Sequence, residues 1–372
     1  MAYQLIHHFD PDFDHFHLTP RMKNSGKVDH YNLGYAQNVV AGQVLAELIP
    51  EGKPLPEGIA ADTVRMVDMF PAGPNTAPNP SNPFQLVATA TGYVFYNEDL
   101  ITVKRLLNIR RDVDFHTGNV VFVSDVCVHG SVRTGFSVQG KRILVKGTVE
   151  GAHITARENI ESFNGVKGSK QALLDAGGNI RVPFVENAEM RAKGKILITG
   201  SCMHSDIWAG NTVVIKGRLQ GGTLYANHVV YIEDQLGGGV STVTSIVMGY
   251  DPFRLHELKS IDNQLEELGS QEELLAMLCR KSDRHRQEHG PKLENVRTRR
   301  QAFLRRRDAL WTMLEKEHDQ TKARIVVPGR IRPKVEISIG GAHCVINDFM
   351  ENVCIYLQDN EIVFDSPAAI KK

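Results

Sequence analysis

What this sequence lacks narrows its class first. No apolar run approaches the ~20 residues that a membrane-spanning helix needs, and Met1-Ala2-Tyr3-Gln4 opens the chain without the basic region or apolar segment of a secretory signal. A cytoplasmic location is therefore expected. Lys and Arg together number 43, as do Asp and Glu, so no global charge advertises a polyanionic partner. The five cysteines, Cys127, Cys202, Cys279, Cys344 and Cys354, are odd in number, widely spaced and free of any CxxC pair. That pattern argues against a disulfide framework and a zinc site. A phosphate cradle is missing too: Gly165-Val166-Lys167-Gly168-Ser169-Lys170 inverts the final order of GxxxxGK[ST] and reads as a surface loop inserted in a repeat. No catalytic constellation and no cofactor motif is found.

What the sequence has is a repeat from Asp112 to Leu236. Val126, Val128, Gly130 and Val132 return 17 residues later as Ile143, Val145, Gly147 and Val149, and further copies start at Ile160, Ile180, Ile196, Val213 and Val229. A second half-phrase keeps pace through Ile154 and Ala156, Met190 and Ala192, Ile207 and Ala209, and Leu224 and Ala226. Each unit is too small to bury its own apolar side chains and must stack on the next, which defines a solenoid. At a strand spacing of roughly 4.8 Å, seven turns would extend roughly 34 Å. Asn119, Asn159, Asn179, Asn211 and Asn227 precede apolar starts and read as corner residues, because Asn tolerates left-handed turns.

The flanks carry three further signals. Residues 1–30 hold His7, His8, His15 and His17 among Asp10, Asp12 and Asp14; a metal site there is the weaker reading, and a partly ordered polar leader the stronger. Strands around a Gly turn are expected over 38–50, a Pro-rich linker or surface loop over 54–83, and a small β meander over 86–103 that caps the first turn. After Gly249 the period becomes helical: Leu255, Leu258, Ile261, Leu265 and Leu268, then, past Gly290-Pro291, Leu293, Val296, Phe303, Leu310 and Leu314. Two long helices joined by that Gly-Pro turn predict an antiparallel coiled-coil hairpin. Its distal half is basic, with Arg280, Lys281, Arg284, Arg286, Arg297, Arg299, Arg300, Arg305, Arg306 and Arg307 as candidate partner-binding residues. The partners this charge fits are an acidic protein or an anionic membrane surface; nucleic acid is disfavoured because stacking aromatics are scarce.

Beyond the helices Ile325, Val327, Gly329 and Ile331 repeat the spacing of Ile143 to Val149, and Val335, Ile337 and Ile339 supply the second half-phrase. The hairpin is thus an insertion between turns. The expected divisions are 1–110, an N-terminal β region; 111–249, solenoid; 250–322, inserted hairpin; and 323–372, a returning turn with final strands near Val353 to Leu357 and Ile362 to Phe364.

These residues resemble the flagellar assembly protein A (FapA) family. The likeness is carried by Asp112-Val113-Asp114 leading to Thr117-Gly118-Asn119-Val120, by Gly130-Ser131-Val132 to Gly135-Phe136-Ser137-Val138, by Gly147-Thr148-Val149-Glu150-Gly151-Ala152, and by Glu186-Asn187-Ala188, His204-Ser205 and Gly221-Gly222. The resemblance implies a mainly β protein built on a right-handed parallel β-helix. It implies a relation to the C-terminal domain of the division inhibitor MinC, and no established catalytic activity. Pro333-Lys334-Val335 stands where the family usually has a Pro-Gly turn.

The leading functional expectation is a non-catalytic scaffold, linked to flagellar assembly or polar organisation, recruited to the cell pole or inner membrane surface. A homodimer or small homo-oligomer is compatible with it. One alternative is a β-helix enzyme acting on polysaccharide through carboxylates such as Asp125, Glu150, Glu158, Glu161 and Glu186. It is weak, because neither these nor His129, His153, His204 and His228 fall at one position on neighbouring turns. The other is a self-assembling, bactofilin-like filament.

Overall fold

A computed structural model describes residues 2–15, 17–22, 28–54, 64–238, 242–281, 283–317 and 322–366. Residues 55–63 of the expected Pro-rich linker lie outside them. By compactness the chain falls into two units, residues 1–193 with 197–205, and residues 194–196 with 206–372.

The first unit opens with a five-stranded antiparallel sheet ordered Arg65–Val67, Tyr3–His7, Val44–Pro50, Asn82–Ala88 and Thr76–Asn79. Its apolar face joins Leu5, Leu45, Leu86, Val94 and Ile101 in one core cluster. Two expectations are corrected here. Residues 3–7 are no polar leader: Leu5 and Ile6 are buried, with sheet partners on both sides. Residues 76–79 are not loop but an edge strand, where Pro78 costs no ladder bond because one side has no strand beside it.

From Leu106 the chain coils into parallel turns, and three columns form its core in this unit. Leu107, Val126, Ile143, Ile160 and Ile180 pair in one. Val120, Val138, Ile154, Leu174 and Met190 make the second. Val113, Val132, Val149, Val166, Val185 and Cys202 make the third. All these residues are almost fully shielded from solvent, each side chain contributing about 1.5–3 kcal/mol of transfer free energy. The recurring glycine has a steric cause: a Cβ on Gly147 would lie 2.4 Å from the carbonyl oxygen of Gly130 one turn earlier.

Corners are held by side chains that accept backbone N–H groups from the next turn. Asn119 Oδ1 accepts from Ser137 N–H at 2.9 Å, Asn159 Oδ1 from Asn179 N–H at 2.8 Å, and Ser131 Oγ from Thr148 N–H at 3.1 Å. Ahead of the first turns Asn38 stands in for a strand. Its amide donates to Val121 C=O at 2.8 Å and accepts from Val123 N–H at 3.0 Å. The expected loop at 165–170 is instead part of one long strand, Val166–Ala176, absorbed as a bulge between Lys167 and Ala172 with Ser169 and Lys170 at positive φ.

The second unit continues the pattern with parallel columns Ile207, Leu224, Ile246 and Ile337; Val213, Val230 and Ile325; and Leu219, Leu236 and Ile331. Between Met248 and Arg324 lie two helices, α1 (Pro252–Cys279) and α2 (Asp283–Glu317). α1 ends at Cys279 and α2 starts at Asp283, so the helices do not divide at Gly290-Pro291, which sits within α2. Pro291 forfeits one helical hydrogen bond, but it is exposed, and the buried side chains of α2 begin just after it with Leu293 and Val296. After the returning strands, Ala342–Ile346, Met350–Gln358 and Glu361–Asp365 run antiparallel and end the parallel stack.

Candidate functional site

Strand alternation sends every second side chain outward, so with Ile207 and Ala209 in the column, Trp208 faces away from the core. Its indole is nonetheless buried. Tyr225, directly opposite in the parallel register, stacks on it with ring centroids 3.7 Å apart and planes within 4°. His256 of α1 meets the same indole edge-on at 4.8 Å, and Lys259 Nζ lies 5.7 Å from the ring centre. The hairpin is thereby seated on one outward aromatic platform. Asp251 starts α1 by accepting N–H bonds from Phe253 and Arg254, with Pro252 at the first helical position. The sequence carried a signal for this seat, an outward Trp and Tyr 17 residues apart, but no signal for what covers it.

The hairpin buries Leu258, Ile261 and Leu268 of α1 and Leu293, Val296 and Leu314 of α2. Charge divides between the helices: α1 has six acids and two bases, α2 ten bases and six acids. Part of the basic set named from the sequence is therefore spent internally. Arg297 and Arg300 bond the two carboxylate oxygens of Glu272 at 2.9 and 3.4 Å, Arg306 bonds Glu257, and Arg307 lies 3.4 Å from Asp308. Arg280, Lys281, Arg284 and Arg286, together with Arg299 and Arg305, have no carboxylate within ion-pair distance among the described residues. The first four lie around the reversal. Beside them Leu274 and Met277, three residues apart on one helical face, are 60% and 63% exposed. An apolar pair next to a cationic turn can dock a partner of opposite charge that also offers apolar surface.

The four N-terminal histidines are engaged separately. His7 Nε2 bonds the Tyr96 hydroxyl at 2.6 Å, and burial, helped by the nearby Arg65 charge, lowers its pKa to about 4. His8 approaches Glu47 at 3.7 Å. His15 packs edge-on to Tyr35, and His17 bonds Asp14 at 2.5 Å. Among the described residues no three His, Cys, Asp or Glu side chains converge as metal ligands would.

The solenoid carboxylates are ladder partners. Arg133 bridges Asp112 and Glu150, Arg142 bonds Asp125, Lys141 reaches Glu158 at 3.3 Å and Arg181 reaches Glu161 at 3.6 Å. His129 is taken up by Asn108 and Lys146, and His228 by Asn211. Such a lattice of exposed cross-turn pairs adds modest stability, and where two carboxylates approach, as Asp112 and Glu150 do, an arginine lies between them.

Compared with known proteins, residues 105–362 match the family model described as the Flagellar Assembly Protein A beta solenoid domain. No curated protein and no solved structure matches the chain. No helix among the described residues is long and apolar enough to cross a membrane.

Proposed function

Because this chain belongs to the flagellar assembly protein A β-solenoid family, we propose that it acts in flagellar assembly as a non-catalytic scaffold that docks partners through its helical hairpin and solenoid faces. The observation that carries this reading is the hairpin reversal, where Leu274 and Met277 are exposed beside Arg280, Lys281, Arg284 and Arg286. Asp125, Glu150, Glu158 and Glu161, carboxylates that could have served an enzyme, are committed to cross-turn ion pairs. The partner this surface suits is an acidic protein, met at the inner membrane surface or cell pole. The antiparallel strands after residue 340 favour a discrete particle over a filament, since they occupy an edge on which another parallel turn would add.

The test is capture from native cell extract with the intact chain and with Arg280→Glu, Lys281→Glu, Arg284→Glu and Arg286→Glu combined. The intact chain retains a flagellar assembly component and the variant loses it. Equal retention by both would remove the hairpin turn from the interface.

A further inference from the structure

A cleft of about 740 Å³ opens in the first unit, between the strands Gly92–Asn97, Leu100–Lys104 and Leu106–Ile109 and the N-terminal segment at 10–15. We propose that it is a binding site for a nucleotide, a planar base carrying phosphate.

One wall is aromatic. Tyr93 and Phe95 alternate onto the same face of their strand, with ring centroids 5.2 Å apart and planes at 25°. Tyr35 and Arg111 line the same cleft; the Tyr35 hydroxyl is pushed up in pKa by burial first and by Tyr93 next, while Arg111 pulls it down. Both phenols and the guanidinium therefore share one space. His15, also in the lining, stands edge-on to Tyr35 at 5.6 Å. Flat half-buried rings of this kind accept a base by stacking, an interaction of about 1–3 kcal/mol per base.

The other component is cationic. The antiparallel register sets Lys104 opposite Tyr93 and places its Nζ 4.7 Å from the centre of the Phe95 ring. Arg110 and Arg111 follow on the rim. Among the described residues, none of these three cations has a carboxylate within ion-pair distance, in contrast to Arg133 and Arg142 on the turns just beyond. Uncompensated guanidinium groups beside stacking rings match phosphate next to a base. Asp10, across the cleft, is held in place by its backbone, which donates N–H to Gln37 Oε1 at 2.7 Å and accepts from Gln37 Nε2 at 2.8 Å. Its carboxylate can receive the hydroxyls of a ribose or the amine of a base. The volume lies within the range of small-ligand sites, about 300–1,000 Å³, and only three uncompensated cations line the opening, which suits a mononucleotide better than a nucleic acid strand.

Titration calorimetry of the full chain with adenosine and guanosine 5′-diphosphates tests the assignment, with adenosine and inorganic pyrophosphate as half-ligands. At least one diphosphate saturates a single site, at least about tenfold more tightly than either half-ligand, and Lys104→Gln and Arg111→Gln each weaken it by about tenfold, or about 1.4 kcal/mol. Both substitutions are at exposed positions and leave the fold intact, as circular dichroism verifies. No saturable heat with either diphosphate at millimolar concentration, or an affinity unchanged in both variants, overturns the site.

Discussion

At the scale of single residues, two positions show how the coil is tuned. Lys334 sits at φ 67°, in the left-handed region that costs an ordinary residue roughly 1–2 kcal/mol, and it occupies the place where the resemblance led one to expect Pro-Gly. Lys334→Gly should raise the stability measured by urea denaturation by about 0.5–1 kcal/mol, after allowance for the extra freedom of Gly in the unfolded chain. A loss would show that the lysine side chain outweighs the strain.

His7 makes stability depend on pH. Its folded pKa of about 4 lies below the ordinary 6.5, so between those values the unfolded chain binds a proton that the fold excludes. The contribution is complete above about pH 6.5 and lost as pH falls towards 4. His7→Gln, which keeps a polar neighbour for Tyr96, should flatten the fall of the urea midpoint across that window. An unchanged slope would place the acid sensitivity elsewhere.

At the scale of elements, the solenoid columns were legible because one environment recurs every 17 residues and selects the same side chains each time. The return at Ile325 was legible for the same reason. The hairpin reversal was not: Gly290-Pro291 is the louder local signal, yet the helix runs through it, and burial of Leu293 and Val296 immediately after it offsets a single lost hydrogen bond. Pro291→Ala should therefore stabilise the hairpin, by as much as about 3 kcal/mol if the helix relaxes fully, seen as slower amide exchange over 285–296. Faster exchange would mean that the bend at proline is needed by the seam.

Tyr3–His7 escaped notice because five residues flanked by His and Asp show too little alternation, and Thr76–Asn79 because an edge strand tolerates proline. Trp208 escaped because periodicity tells inside from outside but not what covers the outside. Trp208→Ala should raise amide exchange in the first turns of α1. Trp208→Phe should disturb it far less, since the indole N–H has no hydrogen-bond partner among the described residues and its loss removes none. Equal exchange in both variants and the parent would show that α1 is held by other contacts.

For the molecule as a whole, the columns explain what the repeat is for physically: each turn supplies the burial its neighbour cannot provide alone. Gly, Asn, Val and the cross-turn charges are accounted for by stacking, which is why the proposed functions are placed on what the stack carries, the hairpin reversal and the N-terminal cleft. The site was only half legible in the sequence. The basic residues could be named, but α1 had to be placed alongside before Arg297, Arg300 and Arg306 could be set apart from Arg280, Lys281, Arg284 and Arg286.

The most direct test replaces 252–317 with a short Gly-Ser bridge and counts flagella on native cells carrying only that chain, after circular dichroism has established that its β structure melts as the parent does. The account predicts a folded solenoid and cells without flagella. A normal complement of flagella on those cells would contradict it.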